Sequence, residues 1–537
     1  MNRLLALTLA FVALTAAPAQ KFYPDDPLAR EPESRDASGA SEGDIGLMYD
    51  IAFNLFATSR REPSNVHAKN VNTIDEVPDS GWFTNRVLPR RLSVEDLVRG
   101  PNTGAPPNAE RWVITREKSA GYSPGFTARD ASGQTWFVSF DPPSNPEGAT
   151  AAIVVASKFF WALGYNQVES FITTVDPRTL SIDPSATMRR PNGKRTPMKR
   201  GDVDAILERA ARNPDGTYRA AAGRLLQGKV LGPFRYEGTR PDDPNDIVEH
   251  EHRRELRALR VFGAWTNLTD LKAGNTLDTL VTVDGKPVIR HYLQDVGSTF
   301  GIGANGPHDW DEGFEYFHDP GPSRRRLFSL GFALSPWQTA DYTIYPAIGR
   351  FEGEAFDPKT WKPHAPTTAY VEMQPEDAFW AARRVAAFGD DLIRAIVHEG
   401  RFSDAAAERQ LATVLMQRRD KVARAYLTGV NPLINPALSA AGELTFENAA
   451  GAAGAPTGYI AAWRQFDNAS GTARPLGESR GTQPSLKAPG ELPSSTGDIV
   501  EIEITGADRP EWQRPVRLHF RRAAGGWALV GLDRSAR

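Results

Sequence analysis

The hydrophobic and polar positions of this chain change period several times, and each change marks an element. Alternation with a period near two over 111–116, 126–129 and 134–140 predicts a three-strand meander with turns at 121–125 and 130–133. The period then lengthens to that of a helix over 147–163, and Gly164 follows as a C-terminal cap. Alternation returns in 276–283 and 286–293, separated by Asp284-Gly285, a dipeptide suited to a two-residue hairpin turn. Helical spacing governs 249–265 and much of 375–427, notably 379–387, 392–397 and 407–426. An earlier helix is expected with Asp44 as its cap and Ile45, Met48, Ile51 and Leu55 on one stripe. The runs 498–505, 515–521 and 527–532 read as strands of a small terminal β module, set off by stretches rich in Gly, Ala, Pro and Ser.

Composition bounds this picture. A chain of 537 residues is too long for one core and implies about two to three domains. Hydrophobic content of 40% and charged content of 24% are those of an ordinary globular protein. A net charge of −3 gives no general attraction to nucleic acid or to an anionic membrane. The absence of cysteine excludes disulfides, thiolate metal sites and a lipoprotein anchor. Residues 1–19 read as a secretory signal: Asn2-Arg3, an apolar run over 4–16, then Ala17-Pro18-Ala19. An uncleaved anchor is the competing reading of that run. The mature chain is expected to be exported, periplasmic or extracellular, with no transmembrane span and no nucleic-acid partner. Residues 20–43 are polar and read as a tether.

The chemistry concentrates at the two ends of the predicted hairpin. Before it stands Asp270-Leu271-Lys272-Ala273-Gly274-Asn275, and after it Asp295-Val296-Gly297. Asp270 can accept or orient a hydroxyl proton, and Lys272 can neutralise charge developing beside it. Asn275 and Asp295 offer hard oxygen ligands suited to magnesium or manganese, and Gly297 permits a sharp turn. A hairpin flanked by ordinary polar turns is the bland alternative.

This arrangement resembles the catalytic and metal-binding loops of the protein-kinase-like superfamily, and most closely its atypical bacterial secreted and HipA-like branches. The resemblance is strongest over about residues 111–300 and implies an α+β, two-lobed fold. It implies a β-rich N-lobe with an N-terminal extension over 44–235 and a mainly helical C-lobe over 236–435. A linker and the small all-β module would occupy 440–537. It assigns Asp270 as the catalytic aspartate and Asn275 and Asp295 as metal ligands, with ATP and Mg²⁺ or Mn²⁺ as cofactors. Leu268-Thr269 stands in place of the usual His-Arg, and Val296 in place of Phe. The implied activity transfers the γ-phosphate of ATP to a hydroxyl of a protein or small molecule.

One departure bears on activity. The third strand of a kinase supplies a phosphate-binding lysine, and here the strand Trp136-Phe137-Val138-Ser139-Phe140 has Ser139 in that place. Lys118, just before the turn that contains Gly121 and Gly125, can reach the same space from a neighbouring strand; Lys158 would have to face inward from the helix. Those two glycines are candidates for laying backbone N–H groups over phosphates, or for an ordinary turn. Glu147 is the candidate acidic partner of the lysine, or simply a residue favoured by the helix dipole. Two readings stay open: a phosphotransferase with a relocated lysine, and a pseudokinase that binds nucleotide or a protein partner through its β module without catalysis.

Weaker signals complete the list. Arg189, Arg190, Lys194, Arg195, Lys199 and Arg200 surround Asn192-Gly193 and read as a solvated hairpin tip, or as an anchor for an acidic or phosphorylated partner. The loop from His308 through Glu312 and Glu315 to Asp319 has metal-competent side chains but reads as solvated surface. His250-Glu251-His252 lacks zincin spacing, and Gly477-Glu478-Ser479-Arg480-Gly481 formally matches a nucleophile elbow without a hydrophobic strand before it.

Overall fold

The computed structural model describes residues 20–88, 92–118, 123–190 and 192–534. Residues 1–19, read above as a secretory signal, and Gly121 lie outside the described residues. The chain is a mixed α and β protein with several sheets, and its contacts divide it into two compact units. The larger gathers 29–71 and 76–430; the smaller gathers 20–28, 72–75 and the chain from 431 onward.

In the larger unit the alternating runs form β1 (Trp112–Glu117), β2 (Gly125–Arg129) and β3 (Thr135–Phe140) as antiparallel neighbours, with Gly125 opposite Ser139. Strands β4 (Ser170–Val175), β5 (Leu180–Arg189), β6 (Arg195–Pro197) and β7 (Tyr218–Arg224) extend the sheet in the order β4-β7-β3-β2-β1-β5-β6. The basic run is the β5–β6 tip, where Arg190 pairs with Asp202 at 2.6 Å. Trp112, Ile114, Phe126, Trp136, Val138 and Phe140 share a core with Val203 and Leu207 of the helix Arg200–Leu207. Ser139 alternates with Val138 and Phe140, so it belongs to the opposite face. The helix Gly148–Leu163 is buried along most of its length and packs against β3, β4 and β7. It ends at Gly164, whose φ of 123° favours glycine.

The sheet β10-β9-β8 follows, from β8 (Lys229–Gly232), β9 (Thr276–Val283) and β10 (Lys286–Leu293). The β9–β10 hairpin keeps one register from Val283↔Lys286 to Thr276↔Leu293. Asp284 and Gly285 take φ of 50° and 78°, the left-handed pair that a tight hairpin turn requires. Helices Arg254–Thr266, Pro375–Ala386, Asp390–His398 and Ala405–Tyr426 form the helical part. Trp265 lies between Phe159 and Phe388, with both ring centres 5.1 Å away. Asp377, fully buried, takes Arg254 at 2.9 Å and Arg257 at 3.1 Å.

The smaller unit is built on two antiparallel sheets. One holds the strands Leu433–Leu438, Glu443–Asn448 and Ser485–Lys487; the other holds Tyr459–Phe466, Ala473–Gly481, Ile499–Gly506, Val516–Ala523 and Gly526–Asp533. Much of what composition marked as linker is therefore strand. Tyr459, Ala461 and Trp463 alternate inward and supply the core that the surrounding Gly and Pro obscure. Ser479 lies within a strand and accepts from Trp463 Nε1 at 2.8 Å, so the elbow pattern has no elbow.

Two further expectations change. The stretch 20–43 is packed rather than free: 20–28 belong to the smaller unit and 29–43 to the larger. Phe22 packs on Phe466 and His519 in the smaller one, and Ala37 and Ala40 are buried with Leu231 and Ile289 in the larger. Polar contacts add to these apolar anchors: Glu31 pairs with Arg253 at 3.1 Å, Arg35 N donates to Asn245 Oδ1 at 2.9 Å and Ser41 N to Asp242 Oδ2 at 2.9 Å. The early helix runs Leu47–Phe56 with Gly46, not Asp44, at its cap, and Met48 faces solvent. Of the expected stripe, Ile45 is buried and Ile51 and Leu55 are half-buried.

Candidate active site

The site grows out of the hairpin register. Because Thr276 and Leu293 are paired, the residues just before β9 and just after β10 must meet. Asn275 O accepts from Gln294 N at 2.9 Å and from Asp295 N at 3.1 Å, which ties the two loops together. Upstream, the helix Arg254–Thr266 ends at Asn267 in left-handed conformation, and Leu268 and Leu271 are buried as anchors. Asp270 and Lys272 alternate with those anchors and are left half-buried, facing outward.

Lys272 Nζ donates to Asp270 Oδ2 at 2.6 Å, and Asn275 Nδ2 donates to the Asp270 carbonyl at 2.8 Å. That second bond engages the amide nitrogen, so Oδ1 is the Asn275 atom that could hold a cation. Asp295 Oδ1 accepts from Gly297 N at 3.0 Å, which leaves Oδ2. Two hard oxygens, one anionic, are donors of the type that would suit a divalent ion such as magnesium or manganese. Among the described residues no group of three or more His, Asp or Glu gathers as a closed metal cage. Gly297 has a different reason from the one its sequence suggests. Its φ is not left-handed, but a Cβ there would stand 2.9 Å from Ile153 of the helix Gly148–Leu163.

Lys118 lies past the end of β1, and its Nζ reaches Ser139 Oγ at 3.2 Å as well as Ser123 Oγ. Burial lowers its pKa, and the Asp295 carboxylate partly restores it. The amine thus stands at the strand position occupied by Ser139 and within the field of Asp295. Gly125 is required for packing, since a Cβ there would overlap the Val138 carbonyl. Glu147 does not come to Lys118. It heads its helix with φ of 69° and accepts from Ser403 N at 2.9 Å. Lys158 is turned elsewhere too, toward the Val98 carbonyl and Glu399.

The structure adds residues that spacing could not reveal. His364 stands between two carboxylates: Nε2 bonds Glu312, and Nδ1 lies 3.9 Å from Asp270 Oδ1. Its ring stacks on Phe317 at 4.1 Å. Glu312 also accepts from Thr269 Oγ1 at 3.0 Å, and His308 Nε2 lies 3.0 Å from Ser298 Oγ. Part of the acidic loop is therefore turned inward, with Glu312 bracing the turn that carries Asp270 through Thr269 and Glu315 taking Trp337 Nε1 at 2.7 Å. Burial pushes the Asp270 carboxyl up, but His364 and Lys272 outweigh it and hold Asp270 well below the usual carboxylate range. Burial disfavours the His364 cation, yet the two carboxylates raise it to about 9. Burial opposes ionisation of Glu312 as well, and His364 leads the groups that bring it down to about 2. His308, fully enclosed, is lowered to about 4.

The helix Leu47–Phe56 covers the back of the loop. Asp50 accepts from Ala273 N, and a Cβ on Gly274 would lie 2.9 Å from Leu47 Cδ2.

No protein-family model matches the chain, and no curated protein matches it. Among solved structures it is similar to the Golgi casein kinase with Mn/ADP bound, at 10% identity and a TM-score of 0.30, over 75% of this chain and 96% of that one. A second structure of the Golgi casein kinase gives 11% identity and a TM-score of 0.29, over 74% and 96% of the two chains. Likeness this loose carries no argument about fold or activity.

Proposed function

We propose that the chain is an exported, kinase-like phosphotransferase. It would move the γ-phosphate of ATP to a protein or small-molecule hydroxyl with Mg²⁺ or Mn²⁺. In this reading the β-rich and helical parts of the larger unit are the two lobes, and the smaller unit is an all-β module that meets a protein partner. The observation that carries it is the Lys118 amine, 3.2 Å from Ser139 Oγ and electrostatically coupled to Asp295. A cation there can bind phosphate oxygens from a neighbouring strand.

Asn275 and Asp295 would hold the divalent ion, which supplies positive charge to bridging phosphate oxygens. Asp270, held ionised by Lys272 and His364, is a strong hydrogen-bond acceptor and a weak base. It would orient the acceptor hydroxyl and take its proton only late, as suits a loose phosphoryl-transfer transition state. Lys272 would then offset charge beside the transferred group.

One observation favours the second reading, a pseudokinase. Glu147 is spent on Ser403, and among the described residues no carboxylate comes within ion-pair reach of Lys118. Thermal-shift titrations with Mg-ATP and Mn-ATP separate the possibilities. A ligand at a hundred times its dissociation constant adds about 2.7 kcal/mol of stability. No shift with either nucleotide removes the ATP-dependent reading. A shift that is lost in Asp295→Ala and Lys118→Ala, with phosphate transfer abolished in Asp270→Ala, supports the enzyme. Binding without transfer or turnover supports the pseudokinase.

A further inference from the structure

The segment after the acidic loop carries an unusual surface. Leu327, Phe328, Leu330, Phe332, Leu334 and Ile344 are all exposed, with Phe328, Leu330 and Phe332 at 83%, 85% and 88%. Six large apolar side chains gathered within eighteen residues exceed the scattered exposure of an ordinary surface. They follow the helix Pro320–Phe328, which contains Arg324, Arg325 and Arg326 and no acid; Asp341 is the one acidic residue over 320–344.

The protrusion is built, not frayed. Glu315 is a buried hub at its neck: it takes Arg326 Nη2 at 2.9 Å, Ser335 Oγ at 3.1 Å and Trp337 Nε1 at 2.7 Å. Those three bonds draw 326 and 335–337 together, so the residues between them are presented outward. Arg324 and Arg325 stay exposed beside them.

We infer that this segment is a docking element for an anionic phospholipid surface. The apolar side chains belong to a helix end, a turn and an extended stretch, so they do not form the single stripe that a protein groove would read. A fluid acyl boundary accepts such a wedge in any orientation, and the adjacent guanidinium groups meet lipid phosphates. The attraction is local, and the overall charge of −3 does not oppose it once the wedge is in contact. This inference does not depend on the phosphotransferase reading.

The test is flotation of the full chain with vesicles of phosphatidylcholine alone and of phosphatidylcholine carrying phosphatidylglycerol. Wild type should float with the anionic vesicles and much less with the neutral ones. Phe328→Ser/Phe332→Ser and Arg324→Gln/Arg325→Gln should each lower that partitioning by roughly tenfold or more, while circular dichroism stays unchanged. Because the chain has no cysteine, Phe332→Cys gives a single site for a polarity-sensitive dye. Its emission should shift to the blue on anionic vesicles, and a dye on exposed Ser470→Cys should not respond. The inference is overturned by absence of flotation, by flotation that survives loss of both phenylalanines, or by a Phe332-dependent dimer in light scattering without vesicle binding.

Discussion

Replacing His364 by Gln removes a cation from between two carboxylates while keeping an N–H donor. In the folded chain His364 titrates near about 9, against an ordinary value of 6.5. At about 1.4 kcal/mol per pH unit, that interval corresponds to an upper limit of about 3 kcal/mol. Nε2 bonds Glu312 and Nδ1 stands 3.9 Å from Asp270, and both carboxylates contribute to this stabilisation. A pKa raised by folding stabilises fully below the unfolded value and is lost as pH rises through the folded one. Wild type should therefore exceed His364→Gln in stability by up to that amount at about pH 6, and the gap should close by about pH 10. His308, lowered to about 4 in the folded chain, gives both proteins a slope below about pH 7.5, and that slope largely cancels in their difference. The assay is thermal unfolding of both proteins across that range. A gap that stays constant with pH would refute a charged His364.

Asp377→Ala should destabilise the larger unit by about 3–5 kcal/mol, because it removes the fully buried carboxylate that Arg254 and Arg257 share; urea unfolding measures it, and a loss below about 1 kcal/mol would contradict the pairing. Gly164→Ala should cost about 2–3 kcal/mol, since its Cβ would overlap the buried Phe83 ring at a φ of 123°. Gly285→Ala is the control: its φ is 78° with nothing within 4 Å, so backbone strain alone should cost about 1 kcal/mol. Equal losses at the two glycines would show that the Phe83 contact contributes nothing.

Local rules carried a large share of what the sequence determined. Strict alternation and Asp284-Gly285 fix the β9–β10 hairpin and its register, and register alone brings Asn275 and Asp295 together. Gly164 and the helical runs of the C-terminal half were legible for the same reason, that period and punctuation act over a few residues. What failed were inferences from composition over longer stretches. The segment 20–43 is held by Phe22, Ala37 and Ala40 together with polar contacts to distant residues, and strands through 433–487 hid among glycines and prolines.

Only the tertiary structure decided which side chains face one another. Lys118 meets Ser139 because β1, β2 and β3 are adjacent in that order, and Glu147 turns to Ser403 instead. His364 lies 94 residues beyond Asp270 with no spacing to connect them, yet it helps to hold that buried carboxylate ionised. Period and turn chemistry are properties of neighbouring residues, whereas a site's electrostatics arise from groups that only packing brings within a few ångströms.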